Sequence, residues 1–352
     1  MKTAPRYLML LLTTACNLRC AYCYREEEVH PLSMPRETAM RGLRLAASSG
    51  LPFHVQMTGG EPTLQPELIE WVASTTRKAG WPATLALQTN GTTMDRALVR
   101  LCAKYDIQVG VSLDGPPEVQ EKLRGGALAT IHAMKLLSQE GVPFRVTTVV
   151  TQQNVAHLKQ IPLVLGAFKS ARGVGMDLFV RKGRGVKGGV SQATPESLEK
   201  GITGFMATLS GVNARRTSPL RLREMDLLEQ ASHRKKNPPF CHACKGESLA
   251  IHPDGTLYPC SQTAGDPLFA AGTLDHPDRE RLMALKRFTL FSEECKTCVL
   301  ADRCPGDCPS RQYYNRGGTN SLTCVMYRTL WNGSRKNGDF NLLLNSTFSD
   351  FM

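Results

Sequence analysis

The chain has 352 residues, enough for one large domain or two moderate ones. It is 41% hydrophobic and 21% charged, which excludes disorder as its main state, and no apolar run approaches the roughly 20 residues a membrane span needs. The formal net charge of +12 admits nucleic acid, an acidic peptide or an anionic small molecule as partner, and twelve cysteines in tight clusters point to metal or iron–sulfur chemistry in a reducing, cytoplasmic setting.

Residues 1–16 (MKTAPRYLMLLLTTAC) look like a short lipoprotein signal ending at Cys16. Two features weigh against that. The apolar core, Tyr7 to Leu12, falls short of the usual length, and Cys16 opens a three-cysteine cluster that lipidation would break.

From residue 7 to 181, short apolar runs alternate with longer amphipathic ones. The pattern predicts strands at Tyr7–Thr13, Phe53–Thr58, Thr84–Thr89, Ile107–Leu113, Phe144–Thr151 and Gly175–Arg181. Between them it predicts helices at Pro35–Ser49, Pro66–Ala79, Asp95–Lys104, Leu128–Glu140 and Val155–Phe168. Repeated βα units mean a parallel sheet. Fewer than eight strands leave an open six-stranded barrel or a doubly wound sheet.

Residues 182–240 change character. Lys182–Gly189 (KGRGVKGG) is basic and glycine-rich, and Arg215, Arg216, Arg221, Arg223, Arg234, Lys235 and Lys236 follow. The stretch reads as a linker with helices around Pro195–Leu209 and Leu222–Ser232. Its charges read as a solvated face, with a docking surface for an acidic partner as the sharper alternative. Residues 241–324 then hold eight cysteines. Within them, Ser248–Cys260 has two alternating runs flanking Asp254-Gly255, a hairpin signal. A helix around Val325–Leu330 precedes the unassigned tail.

Cys16-x3-Cys20-x2-Cys23 follows the first strand, at the sheet edge where α/β active sites assemble. Three thiolates are one short of a closed four-iron or zinc site, so one metal position stays open. Tyr22 places a ring beside them.

This segment resembles the radical S-adenosylmethionine (radical SAM) superfamily, whose pattern is C-x3-C-x-aromatic-C. The resemblance continues in order: Thr58–Pro62 (TGGEP) ends the second strand, Gln88–Gly91 (QTNG) the third and Ser112–Gly115 (SLDG) the fourth. It implies a cluster on Cys16, Cys20 and Cys23 that binds SAM and, by one-electron cleavage, yields methionine and a 5′-deoxyadenosyl radical. It also implies that Gly59, Gly60 and Glu61 hold the methionyl amino group, and that Tyr22 and Tyr24 border the adenine. Asn90, Ser112, Asp114 and Arg124 complete the implied SAM contacts, with Ser112 at the ribose or carboxylate and Arg124 at the carboxylate. A turn with Gly115 is the structural alternative for Asp114.

The later cysteines run Cys241-x2-Cys244, Gly255-x4-Cys260, Cys295-x2-Cys298-x5-Cys304-x3-Cys308 and Cys324. Eight thiolates equal two closed four-cysteine sites, either zincs or clusters. The order resembles the SPASM extension of radical SAM enzymes. That resemblance implies a first auxiliary cluster on Cys241, Cys244, Cys260 and Cys308 and a second on Cys295, Cys298, Cys304 and Cys324. Three [4Fe–4S] clusters would lower the charge from +12 to about +7. Cys102, on a helix, belongs to core packing. His30, His242 and His252 read as surface or packing residues.

The expected architecture is a partial (β/α)6 barrel over 1–181, a basic linker over 182–240, a SPASM domain over 241–330 and a tail over 331–352. The expected function is oxidative modification, by cross-linking or dehydrogenation, of a ribosomally made peptide or protein, with the auxiliary clusters accepting electrons. The sulfatase-maturing branch carries an aspartate after the cysteine of G-x4-C; here that position is Ser261, which cannot serve as a carboxylate base. Asp266, Asp302 and Asp307 are the substitute candidates. Six residues before the first strand leave no leader-binding domain, so a separate binding protein or the basic region is expected to recognise substrate. A flavodoxin or ferredoxin would supply electrons. Membrane and nucleic acid are not expected partners. The alternatives are maturation of a haem precursor, quinone or tungsten cofactor, and a zinc-ribbon binding module.

Overall fold

The computed structural model describes residues 4–26, 29–234, 239–288, 293–315 and 320–336. Lys235, Lys236 and most of the 331–352 tail lie outside them. Nine strands form one sheet in the order β7-β6-β5-β4-β3-β2-β1-β8-β9. The first six are β1 (Tyr7–Thr13), β2 (Phe53–Gly59), β3 (Ala83–Thr89), β4 (Ile107–Ser112), β5 (Phe144–Val150) and β6 (Ala171–Leu178), all parallel. The connecting helices are α1 (Arg36–Ala47), α2 (Pro66–Lys78), α3 (Arg96–Lys104), α4 (Pro117–Leu123), α5 (Ala127–Gln139) and α6 (Ile161–Gly166). This is the parallel α/β sheet that the periodicity predicts, in the open-barrel form that the resemblance implies.

The helices start where local chemistry dictates. Asp95 accepts the Leu98 N–H at 2.8 Å and caps α3. Proline opens α2 and α4, where a missing N–H costs nothing. The predicted helix over Val155–Phe168 instead splits into a 3-10 turn (Val155–Gln160) and α6, with Pro162 in the first turn of α6. α4 is too short to leave a periodic signal.

β6 begins four residues earlier than predicted and leaves the sheet before Arg181. Gly173 and Gly175 look like strand breakers, yet they are there for close approach. A Cβ on Gly173 would strike the Arg221 carbonyl of β7 (Arg221–Leu222), and one on Gly175 would press on the Arg223 guanidinium.

Several charges of the basic region are paired within the fold rather than solvated. α7 (Pro195–Asn213) follows β6 and packs on α6 and its preceding 3-10 turn. Arg216 donates to the carbonyls of Leu165, Gly166, Phe168 and Ala171, closing the end of α6. Arg221 pairs with Asp226 at 2.7 Å and Glu229 at 3.5 Å. Arg223 pairs with Asp177 at 2.8 Å and Glu224 at 2.6 Å. Arg221 lies in β7, and Arg223 opens α8 (Arg223–Arg234). Arg215 is exposed.

Lys182–Gly189 packs its backbone on the three-cysteine loop. The Gly185 N–H donates to the Cys23 carbonyl at 3.4 Å, and a Cβ on Gly188 would collide with the Ala21 carbonyl. Glycine is required there by proximity.

The C-terminal region joins the sheet directly. After α9 (His242–Lys245), β8 (Ser248–Ile251) pairs parallel with β1, Tyr7 opposite Ser248. β9 (Leu257–Tyr258) returns antiparallel, the hairpin that Asp254-Gly255 signals. α10 (Arg279–Leu282), α11 (Pro309–Tyr314) and α12 (Asn320–Lys336) complete the region, and α12 packs on α7 and α8.

The sheet's outward face is apolar: Leu10, Met57, Leu87 and Val109 are buried in one cluster with Leu43, Ile69, Val99 and Met134 of the helices. Its inward face is polar. Gln56, Thr58, Gln88, Gln108, Arg145, Thr147 and Asp177 sit there half-buried, although their strands are central. At the β8 side the inward face turns apolar, and Met9 and Leu11 pack on Ala250, Tyr258, Phe269 and Leu285.

Two outcomes follow. Burial holds the His54 imidazole down at about 4, with Nδ1 2.8 Å from Thr84 Oγ1. A depressed base favours the folded state above its unfolded pKa, so stability should fall as pH drops from about 6.5 to 4, by roughly 2–3 kcal/mol. His54→Gln should flatten that slope in denaturant titrations across this range. Gly188→Ala should cost about 1–3 kcal/mol by overpacking and reduce the iron retained after reconstitution, read by melting and iron assay.

Candidate functional site

β1 delivers the first cysteines to the open end of the barrel. Beyond it, Thr13 Oγ1 accepts the Ala15 N–H at 3.1 Å and donates to the Leu32 carbonyl at 2.9 Å. These bonds hold both ends of the cysteine loop. Cys16 is exposed, while Cys20 and Cys23 are half-buried and joined by a Cys23 N–H to Cys20 carbonyl bond of 3.2 Å. Burial pushes the Cys20 thiol up to about 11, with Arg124 opposing and Cys23 and Cys16 adding. Metal binding here therefore displaces protons.

The strand-end motifs surround this loop. A Cβ on Gly60 would overlap the Ala15 carbonyl, so the double glycine lets the second strand end pass under the cysteine loop. Glu61 is buried. Its Oε1 accepts from Thr63 N at 3.1 Å, Thr63 Oγ1 at 2.6 Å and Thr89 Oγ1 at 2.6 Å, and its Oε2 from Asn90 N at 2.7 Å. The carboxylate thus ties β2 to β3, a structural task beside any ligand. Asn90 Nδ2 donates to Asn17 Oδ1 at 2.9 Å, linking β3 to the loop. Ser112 Oγ accepts from Gln88 Nε2 at 3.1 Å.

Asp114 is wholly buried and forms more than a turn with Gly115. Its Oδ2 accepts from the Tyr22 hydroxyl and from Arg124 Nε at 2.9 Å, and its Oδ1 from Val149 N at 3.0 Å. The Arg124 guanidinium also lies 5.4 Å from the Tyr22 ring centre. The two tyrosines diverge. Tyr22 packs into the wall with Val119, Leu123 and Phe179. Tyr24 faces the C-terminal region, where burial pushes its phenol up to about 12 beside Cys23 and Cys260, and its side chain bonds that of Ser261.

The later cysteines gather in two groups. Cys241 and Cys244 have sulfurs 3.8 Å apart. Burial pushes Cys260 up to about 12, and Cys308 and Cys241 are close enough to add to it; Cys308 likewise acts on Cys244. In the other group, burial raises Cys304 to about 11, with Cys324, Cys298 and Cys295 adding. Backbone N–H groups point at two of these sulfurs: Leu300 to Cys298 at 3.5 Å and Gly306 to Cys304 at 3.3 Å. Cys102 stands apart, buried on α3, its thiol pushed up to about 12 by burial alone. Among the described residues, no three His, Cys, Asp or Glu side chains are arranged to hold a single metal ion. Grouped thiols aided by N–H donors fit a cluster, where each iron takes its own thiolate.

The three candidate acids fall in different settings. Asp302 is exposed at a left-handed turn. Asp307 is buried, pairs with Arg311 and accepts the Cys308 N–H at 2.6 Å. Asp266 accepts the Tyr314 hydroxyl at 2.7 Å, beside Lys182. Burial lowers the Lys182 ammonium to about 8, with Asp266 and Cys260 opposing the drop. His242 stacks on Tyr7, ring centres 5.7 Å apart, and His252 pairs with Asp254 at 2.9 Å. Lys182, Gln262 and Tyr314 escape sequence reasoning because their partners are distant in the chain. The one available signal was the position of Lys182 just past the sixth strand.

Comparison with known proteins agrees with this geometry. Residues 10–161 match the radical SAM superfamily. The chain is 25% identical to the serine-type anaerobic sulfatase-maturating enzyme of Klebsiella aerogenes, covering 91% of this chain and 83% of that one. It is 33% identical over 158 residues to the Fe-coproporphyrin III synthase of Methanosarcina barkeri, covering 43% of this chain and 38% of that protein. Its fold is that of anSMEcpe with bound AdoMet (TM-score 0.77, 21% identity, 97% of this chain and 96% of that one). It is also that of Streptococcus suis SuiB bound to its precursor peptide SuiA (TM-score 0.61, 17% identity, 90% and 74%). No helix among the described residues is long and apolar enough to cross a membrane. With the cysteine loop and the ordered strand-end motifs in place, the chain carries a radical SAM superfamily domain over residues 10–161, and its fold as a whole is that of anSMEcpe.

Proposed function

We propose that this enzyme oxidatively modifies a ribosomally made peptide or protein, cross-linking or dehydrogenating it, with two auxiliary [4Fe–4S] clusters as electron acceptors. The observation that carries this reading is the pair of four-cysteine groups, one of which abuts the first cysteine loop through Tyr24. When bound, the reduced first cluster and SAM supply a 5′-deoxyadenosyl radical that takes a hydrogen atom from substrate.

In this reading Cys16, Cys20 and Cys23 hold the first cluster and leave one iron for SAM. The polypeptide at Gly59, Gly60 and Glu61 faces the methionyl amino group, while Arg124 and Ser112 serve the carboxylate and ribose. Asn90, Asp114, Tyr22 and Tyr24 shape the surrounding wall. Cys241, Cys244, Cys260 and Cys308 hold one auxiliary cluster; Cys295, Cys298, Cys304 and Cys324 hold the other. Asp266 is favoured as proton acceptor over Asp302, which is exposed, and Asp307, whose charge Arg311 already answers. Ser261 in place of aspartate speaks against formylglycine chemistry. A separate leader-binding protein and a flavodoxin or ferredoxin would complete the system.

The polar inward face suits a hydrophilic peptide better than a tetrapyrrole. The second reading, maturation of a small cofactor, is supported by the 33% identity to Fe-coproporphyrin III synthase. The radical SAM match over residues 10–161 supports an enzyme over a zinc-ribbon binding module.

Anaerobically reconstituted protein should carry about twelve irons per chain and form 5′-deoxyadenosine from SAM and reductant. Cys16→Ala should abolish that cleavage. Cys260→Ala should lose about four irons yet still cleave SAM. Four irons in the wild-type chain would sink the auxiliary-cluster assignment. Tight binding of iron-coproporphyrin, seen as a shifted absorbance band, would favour the second reading.

A further inference from the structure

We propose that Lys182 is a positioning residue that docks the Cys241, Cys244, Cys260 and Cys308 group onto the barrel and raises the reduction potential of the cluster held there. This rests on the auxiliary-cluster reading above.

Lys182 lies just past β6, at the barrel mouth. Its Nζ donates to the carbonyls of Gln262 and Ala264, both at 2.8 Å, and sits 5.3 Å from the Tyr314 ring centre. Those contacts reach two of the three segments that carry this cysteine group, the Cys260 loop and the Cys308 helix. Gln262 follows Cys260 by two residues. Its Oε1 accepts from the Ser310 hydroxyl and lies 3.7 Å from Cys308 Sγ. Tyr314 ends α11, the helix that begins beside Cys308, and its hydroxyl is anchored on Asp266 at 2.7 Å. One barrel side chain thus pins the Cys260 loop and the Cys308 helix together.

The charge on this side chain has a use. Removing an ammonium from water costs several kcal/mol unless something compensates. Two carbonyls and an aromatic face do so in part. Among the described residues no carboxylate forms a direct ion pair with Lys182; Asp266 and Glu26 act on it from farther away, and Arg25 opposes it. A four-thiolate cluster carries about −2 in its oxidised form and gains one more negative charge on reduction. A fixed cation beside it favours the reduced form and keeps the cluster a competent electron acceptor. Arg311, a buried cation near Cys308, is already paired with Asp307.

The test is an electron paramagnetic resonance redox titration of the reconstituted full chain, comparing wild type with Lys182→Met and Lys182→Arg. Lys182→Met keeps the apolar stem and removes the charge. It should lower the midpoint of one auxiliary signal and leave the SAM-responsive signal and the other auxiliary signal in place. Lys182→Arg should return that midpoint most of the way to the wild-type value. Three unmoved midpoints in Lys182→Met, or equal shifts in Met and Arg variants, would overturn the assignment while leaving the clusters standing. A wild-type chain without auxiliary signals would instead sink the cluster reading, and this inference with it.

Discussion

The buried carboxylate of Asp114 is the constraint on which the site depends. A charge with no solvent exposure needs partners, and it takes them from three directions: the Tyr22 hydroxyl in the cysteine loop, Arg124 after α4, and the backbone of β5. The loop between Cys20 and Cys23 therefore cannot move without exposing an unpaired charge in the barrel wall. Removing one partner from such a network costs more than the bond itself is worth, because the remaining charge stays buried. Glu61 works the same way one strand pair over, spending its oxygens on Thr63, Thr89 and Asn90. Two buried acids thus fix the strand ends before any cofactor arrives.

The sheet divides labour between its faces. Outward side chains build the apolar core with the helices, and inward ones stay polar and half-buried. A strand in an ordinary parallel sheet is apolar on both faces. The polar inner face marks a lumen rather than a filled core. Arg223 enters that lumen over Gly175 and pairs with Asp177, so a sequence stretch that reads as linker in fact supplies part of the barrel wall.

The C-terminal region is stitched in by backbone bonds. β8 adds to the free edge of β1, and its neighbours Tyr258, Phe269 and Leu285 cover Met9 and Leu11. An exposed edge strand is a hazard for aggregation, and this pairing removes it. The same junction brings Ser261 and Cys260 beside Tyr24, and Lys182 beside Gln262 and Ala264. The cysteine groups are held against the barrel by the sheet itself, and Lys182 adds a side-chain clamp.

What the sequence determined by itself is whatever has a short period or a fixed spacing. The βα alternation placed β1 to β5 within a residue or two. Asp95 and Pro66 marked helix starts, Asp254-Gly255 marked the hairpin, and the cysteine spacings drew attention to the loops that the fold gathers. Tertiary structure decided the rest, because the partners are far apart in the chain. Gly188 looked like a flexible linker residue until the Ala21 carbonyl it must clear came into view. Arg216, Arg221 and Arg223 looked like solvated charge until their carbonyls and carboxylates did. Lys182 shows no local sign that its ammonium is half-buried against two cysteine-bearing loops. The physical reason is common to all of them. Hydrophobic period and turn chemistry are local free-energy terms, readable a few residues at a time, whereas burying a charge or passing two backbones in contact depends on partners that only the folded chain brings together.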